Sequence, residues 1–252
     1  MYKILANLPF RTNHVHYLPS CHSTNEVARD LLPSGAAEGT LVITDNQVAG
    51  KGQMGNTWIS SPGQNLTFSL ILYPVFLKPN QQFLITVVLS LGIKEALAEI
   101  LPGEVMIKWP NDIYFKDSKI TGLLIENVLK GEIFSSCVAG IGLNVNQADF
   151  PATIKATSIK NILGNNYNLN DLLNKVLKSI ADYYMLLKEG EGHKLQALYH
   201  HSLIGLGETR QFTAQGEKFT GKIIGTDQFG RLRIAVGEEI KVFQHKEVQF
   251  LS

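Results

Sequence analysis

Cysteine is scarce in this chain: Cys21 and Cys137 are the only two among 252 residues. They supply neither a disulfide framework nor a metal-ligand spacing, and a reducing cytosol suits them best. Net charge is nearly absent as well, since 23 Lys and Arg oppose 22 Asp and Glu. No field of one sign therefore argues for nucleic acid or an acidic membrane as partner. Long apolar runs are missing. The most apolar stretch, residues 83–93, is shorter than the roughly 20 residues a bilayer span needs, so it reads as a buried helix. The opening Met1-Tyr2-Lys3-Ile4-Leu5-Ala6-Asn7 lacks the long apolar core of a signal peptide. A cytoplasmic location without membrane attachment is the expectation. Repeats, low-complexity tracts and charge runs are also absent.

The length suffices for one large domain and a small satellite. Ser23-Thr24-Asn25-Glu26 has the S-x-x-E form of a capping box, opening a helix that Pro33 and Gly35 end. Residues 41–45 and 66–73 are apolar and bounded by turn residues, hence strands. Residues 81–101 carry apolar side chains near helical spacing. Three strands are expected at 105–109, 119–129 and 133–143, with Gly131 turning the last two as a hairpin. Over 171–187 an apolar stripe running from Leu172 to Leu187 marks the clearest helix, and core packing is its ordinary role. Beyond about residue 203, glycines punctuate short alternating segments such as Leu232, Ile234 and Val236. They predict a small all-β module near the lower size limit for independent stability, leaning on the larger domain.

Residues 44–58 carry most of the functional signal. Gly50, Gly52 and Gly55 let the backbone turn sharply, with Lys51 among them and Trp58 just beyond. An apolar lead-in, a glycine-rich turn and a cation suggest a phosphate or carboxylate held by backbone N–H groups. The spacing satisfies G-x-G-x-x-G, but a dinucleotide site requires a helix at the glycines and an acid about 20 positions on. The chain continues with turn residues through Gly63, and no Asp or Glu occurs between Asp45 and Glu95. That reading fails. A P-loop fails too, because Gly50-Lys51 and Gly221-Lys222 lack the following Ser or Thr. A kinase would need His-Arg-Asp and Asp-Phe-Gly, and neither is present.

The loop has company. Ser23-Thr24-Asn25, Lys108-Trp109-Pro110-Asn111-Asp112, the run from Lys119 to Glu126 and the run from Gly140 to Asn146 follow in order. Together these islands resemble the biotin–protein ligases, or holocarboxylase synthetases, over nearly the whole chain. The resemblance implies an α/β (α+β) fold: a central mixed sheet flanked by helices, with a small C-terminal SH3-like β-barrel. It divides the chain into a catalytic domain, 1–202, and an SH3-like domain, 203–252. It implies ATP, biotin and Mg²⁺ as small-molecule requirements and a biotin carboxyl carrier protein as acceptor. Because the islands begin at Ser23, the ligase-only class without a DNA-binding domain is expected. Monomer and homodimer both occur in the family.

The resemblance also assigns residues. Lys108 is the catalytic cation facing the biotin carboxylate and the α-phosphate. Ser23, Thr24, Asn25, Gln47, Lys51, Gly52, Gln53, Lys108 and Gly122 fall to biotin. Gly50, Lys51, Gly52, Gln53, Trp58, Asn111, Lys119 and Asn144 fall to the nucleotide, and Asp112 to the metal. Core packing rivals stacking for Trp58, and an Asx turn rivals phosphate contact for Asn111 and Asp112. Gly140 and Gly142 suit either a close backbone approach or a tight sheet corner. Many family members place arginines where this chain has Gln53, Met54 and Asn56. A lipoate or octanoate ligase is the enzymatic alternative, although its Arg-Arg-x-Ser-Gly-Gly-Gly type of loop is missing. A non-catalytic biotin-binding relative is the other.

Overall fold

Among the described residues, seven strands build the main sheet, in the order β1-β2-β3-β7-β6-β5-β4. They are β1 (Val15–Cys21), β2 (Leu41–Gln47), β3 (Leu66–Leu72), β4 (Val105–Lys108), β5 (Asp112–Phe115), β6 (Ser118–Lys130) and β7 (Ile133–Leu143). Only β1 and β2 run parallel; the other neighbours are antiparallel. The structure is a computed structural model describing residues 14–251. The expectation for residues 1–7 lies outside that range.

Both faces of the sheet are covered, which is why β3 is buried at every position. Successive strand side chains point to opposite faces. Val42, Ile71 and Val138 meet Ala28 of α1 (Thr24–Leu31) on one side. Leu41, Ile43, Leu70 and Leu72 join the larger core on the other, with α2 (Phe83–Ala98) and α4 (Leu169–Lys188). A strand buried on two faces reads as an unbroken apolar run rather than an alternation. Asn168 starts α4 by accepting from the backbone N–H groups of Asn170 and Asp171. The stripe expected for this helix is buried, apart from the half-buried Tyr183.

One sequence argument needs correction. The segment Pro79–Ala98 spans 20 residues at a mean hydropathy of 1.3, enough by length and composition to cross a membrane. Apolar residues continue past position 93, so shortness does not exclude a span. Packing places the helix instead: Ile85, Val87, Val88 and Leu89 have no exposed surface. A Cβ on Gly92 would lie 2.7 Å from Ile180 Cα, so the backbones of α2 and α4 are in near contact.

Four elements were not anticipated. The edge strand β1 shows the burial of a half-exposed border rather than an apolar alternation. Strand β5 has four residues and follows Pro110-Asn111, whose turn chemistry hides it. Helix α5 (Gly192–His201) buries only Leu195 and Tyr199, too few apolar anchors to stand out. A short helix α3 (Ile159–Leu163) lies between β7 and α4.

A second, antiparallel sheet has the order β11-β10-β9-β8-β12. Its strands are β8 (Thr209–Ala214), β9 (Glu217–Thr226), β10 (Leu232–Val236), β11 (Glu239–Phe243) and β12 (Gln249–Phe250). Phe212, Ile223, Leu232 and Ile234 belong to the same buried cluster as the main-sheet core, so the small sheet completes its interior against the larger unit. His200 of α5 makes the polar joint, its Nε2 accepting from the Thr226 backbone N–H at 2.9 Å. Burial holds the His200 imidazole below its ordinary value, with smaller contributions from the charges of His201 and Arg233. The unfolded chain therefore takes up this proton first as pH falls. The joint contributes fully above the unfolded value of about 6.5 and is lost as pH drops through the lower folded value. Between about pH 7.5 and pH 5, the thermal midpoint of the wild type should fall further than that of His200→Gln. Parallel pH dependence in the two proteins would exclude His200 as the origin.

Candidate active site

Lys108 ends β4, and the three residues after it are tethered to three different elements. Trp109 Nε1 donates to Gly230 O at 2.8 Å, in the second sheet's β9–β10 connection. Tyr199 Oη of α5 donates to Pro110 O at 2.6 Å, and Asn111 Nδ2 donates to Leu123 O of β6 at 2.7 Å. The Trp109–Pro110 peptide is cis. Lys108 Nζ lies 5.2 Å from the Tyr114 ring centre and 5.9 Å from that of Phe250. Burial, reinforced by the charge of Asp112, pushes the Tyr114 phenol up to about 12, so Lys108 faces a neutral ring. Among the described residues no carboxylate pairs with Lys108, whereas Lys51 meets Glu26 at 2.5 Å and Lys119 meets Asp112 at 2.7 Å. Lys108 is a held cation with its charge uncancelled, in a setting less polar than water.

The floor is made by the first turn of α1. Ser23 occupies the N-cap position, but its side chain caps nothing. Glu26 turns away to Lys51, whose hydrogen bond and charge hold its carboxyl below the usual range. The capping-box expectation is therefore corrected: tertiary pairing takes the glutamate that the local motif would use. Gln47 Oε1 accepts from the Thr24 backbone N–H at 2.9 Å and lies 3.3 Å from Thr24 Oγ1. Asn25 Nδ2 donates to Leu124 O at 3.1 Å and to Glu126 Oε2 at 2.9 Å. Ser69 Oγ donates to Asn25 Oδ1 at 2.6 Å. Ser69 lies within a strand that reads as apolar packing, and nothing in the sequence marks it.

The glycine loop folds back on itself. Gly52 N–H donates to Asn56 O at 2.7 Å and Trp58 N–H to Gly50 O at 2.9 Å. Between them Gln53–Gly55 makes a single 3-10 turn. The indole of Trp58 then lies on the strand glycines. A Cβ on Gly142 would come within 2.3 Å of that ring, and one on Gly140 within 2.3 Å of Asn25 Oδ1. These two glycines are not a sheet corner, since β7 is continuous through both, and both line the site. They make room for the side chains that line the site. Lys119 Nζ sits 5.8 Å from the Trp58 ring centre, and the indole Nε1 is buried with no partner among the described residues.

These pieces enclose a cavity of about 260 Å³. Of the residues proposed from sequence, Ser23, Thr24, Asn25, Gln47, Lys51, Gly52, Gln53, Trp58, Lys108, Asn111, Asp112, Lys119 and Gly122 line it. Gly50 and Asn144 do not. Gly50 supports the loop from behind, with its Cα hydrogen side against Trp58 O and Gln47 Nε2. Asn144 Nδ2 donates to Thr157 O at 3.0 Å. His245 and Lys246, from the turn between β11 and β12, line the cavity and were not anticipated. Only the packing of the second sheet against the larger unit brings that turn here. His245 stands edge-on to Trp109 at 5.8 Å, and burial holds its imidazole below the ordinary value despite the opposing pull of Asp112.

Among the described residues, four lysines and one carboxylate line the cavity, so it suits an anion or two anions together. Among the described residues no three His, Cys, Asp or Glu side chains gather to hold a metal. Asp112 offers a single carboxylate, already engaged by Lys119. That does not fit a resident metal centre, though it suits an ion that arrives on a phosphate chain with most of its own waters.

Comparison with known proteins agrees with this geometry. Residues 17–145 match the sequence profile of the Biotin/lipoate A/B protein ligase family. The chain belongs to that family. The bifunctional ligase/repressor BirA of Bacillus subtilis (strain 168) is 30% identical over 241 residues, covering 94% of this chain and 74% of that protein. The biotin–[acetyl-CoA-carboxylase] ligase of Mycobacterium tuberculosis is 25% identical over 236 residues, covering 90% of this chain and 86% of the other. The Aquifex aeolicus biotin protein ligase, solved in complex with biotin and ATP, aligns with a TM-score of 0.78 at 30% identity. That alignment covers 94% of this chain and 98% of the other. Within the family the chain stands with the biotin–protein ligases and is an enzyme of that kind.

Proposed function

We propose that the protein joins biotin to ATP, forming biotinyl-5′-AMP and pyrophosphate, and then transfers biotin to a lysine of a biotin carboxyl carrier protein. The observation that carries this reading is the uncancelled Lys108 ammonium facing a cavity that also presents a polar, largely prepaired floor. A carboxylate and a phosphate repel each other, so their reaction needs fixed positive charge in a site shielded from water. Lys108 supplies that charge between them. The carboxylate oxygen attacks the α-phosphorus, the bond to the bridging oxygen breaks, and pyrophosphate leaves with the electron pair. In the second step the acceptor amine, having lost one ammonium proton, attacks the biotinyl carbon. The tetrahedral adduct collapses, the second proton leaves nitrogen, and AMP departs with the electron pair of the broken C–O bond.

The floor of Thr24, Asn25 and Gln47 would hold the ureido ring of biotin, and Trp58 would carry the adenine. Both assignments are what the resemblance to the biotin–protein ligases implies; polar groups suit the ureido ring and an aromatic face suits the adenine. Mg²⁺ would come with ATP as part of the substrate, with Asp112 and Lys119 near its phosphates. The direct test is the mass of a carrier domain after incubation with ATP, Mg²⁺ and either biotin or lipoate. Modification with biotin alone supports the reading; modification with lipoate alone replaces it.

Gln53 lines the cavity where arginine is common among relatives of this kind, and an amide carries no charge to hold the adenylate phosphate. Gln53→Arg should slow release of biotinyl-5′-AMP by about ten-fold, the worth of one exposed-to-half-buried charge contact. Equal release rates for the two proteins would show that position 53 does not touch the phosphate.

A further inference from the structure

A second cavity, about 610 Å³, opens beside the first and has a different chemistry. The two share a wall at Gln53, Trp109, Pro110, Asn111 and His245. Among the described residues, the first is lined by four lysines and the second by none. Its single cation, Arg231, is cancelled by Asp227 at 2.6 Å and lies over the Phe229 ring at 5.3 Å. What remains is aromatic and apolar surface from Phe83, Trp109 and Phe229, and the neutral amides of Gln82, Asn127 and Gln244. Asn127 Nδ2 donates to Gln82 Oε1 at 2.9 Å, while Asn127 Oδ1 is buried and has no partner among the described residues.

Among the described residues, no uncancelled positive charge is present to hold an anion in this space. A long alkyl stem ending in an ammonium group can be held there, because aromatic faces and amide oxygens attract a cation and no uncancelled positive charge repels it. We infer that the second cavity is the approach for the acceptor lysine of the carrier, leading past Trp109 and His245 into the adenylate site. The inference rests on the proposed ligase reaction and adds the path its second step uses. The separation of charge has a consequence. Nucleotide and biotin are drawn to the lysine-lined cavity, and the acceptor lysine enters from a side where those lysines do not oppose it. The passage also lies between α2 and the β9–β10 connection, so the second sheet forms one wall of the carrier's route.

Thr86 of α2 lines this cavity and not the first, which makes it the place to test the idea. Thr86→Lys and Thr86→Glu would be compared with the wild type in two assays. One is biotin-dependent ATP–pyrophosphate exchange, which reads the first step alone. The other is transfer of biotin to a carrier domain. Expected are unchanged exchange in both variants and a kcat/KM for carrier about ten-fold lower in Thr86→Lys, with Thr86→Glu at or above wild type. Exchange at the wild-type rate also shows that each variant is folded. Equal transfer by the lysine and glutamate variants would overturn the inference. So would a loss of exchange matching the loss of transfer, which would make the second cavity part of the first-step site. Wild-type protein that shows no biotin-dependent exchange would refute the ligase reading itself, and the inference with it.

Discussion

Lys108→Ala is expected to slow biotin-dependent ATP–pyrophosphate exchange by about a thousand-fold while biotin binding changes by less than about ten-fold. The reason is where the charge is needed. Before reaction the biotin carboxylate can keep part of its hydration, and the floor residues hold the rest of the molecule. As the carboxylate closes on phosphorus, negative charge accumulates between two anions that water can no longer separate. An ammonium group fixed there acts on that state far more than on the bound reactant. Trp109, Pro110 and Asn111 are each hydrogen-bonded to a different element, so the strand end carrying Lys108 has little freedom to relax away. Isothermal titration with biotin and exchange assays on the same preparation separate the two quantities. A loss of binding as large as the loss of exchange would make Lys108 a ground-state contact instead.

Gly140→Ala is expected to weaken biotin binding by about a hundred-fold, the scale associated with a misplacement near 1 Å in a positioned site. The added Cβ would stand 2.3 Å from Asn25 Oδ1. Neither partner can yield easily. Gly140 lies in β7 between β3 and β6, paired with Ser69 on one side and Leu124 on the other. Asn25 is held by Ser69, Leu124 and Glu126 together. The first turn of α1 must therefore lift, carrying Thr24 and the Gln47 contact with it. Thermal unfolding should show a folded protein, because the displaced group borders a cavity rather than filling the core. Unaltered biotin affinity in a folded Gly140→Ala protein would mean that Asn25 does not shape the site.

Much of the site was legible from local pattern. The order of four islands along the chain, the Lys108–Asp112 segment and the failure of the glycine loop to meet dinucleotide or P-loop requirements all pointed one way. What local pattern misjudged were positions whose role is set by a partner remote in sequence. Glu26 completes a capping motif on paper, yet Lys51, 25 positions away, holds its carboxylate. Gly140 and Gly142 look like backbone features alone, yet they also leave space for Asn25 and Trp58. Ser69, His245 and Lys246 carry no local mark, since a serine in an apolar strand and a basic pair in a turn have ordinary explanations elsewhere.

Periodicity and turn chemistry by themselves determined the buried strands, the two long helices and the small β module near the C-terminus, because each depends on spacing between near neighbours. Only the tertiary structure decided which residues face one another across the cavity, and that Gly50 and Asn144 stand behind it. Only the tertiary structure divided the lysine-lined space from its neutral neighbour. The physical reason is that electrostatics and steric fit depend on distance in space, and the sheet order β3-β7-β6 and the docking of the second sheet set those distances between residues far apart in the chain.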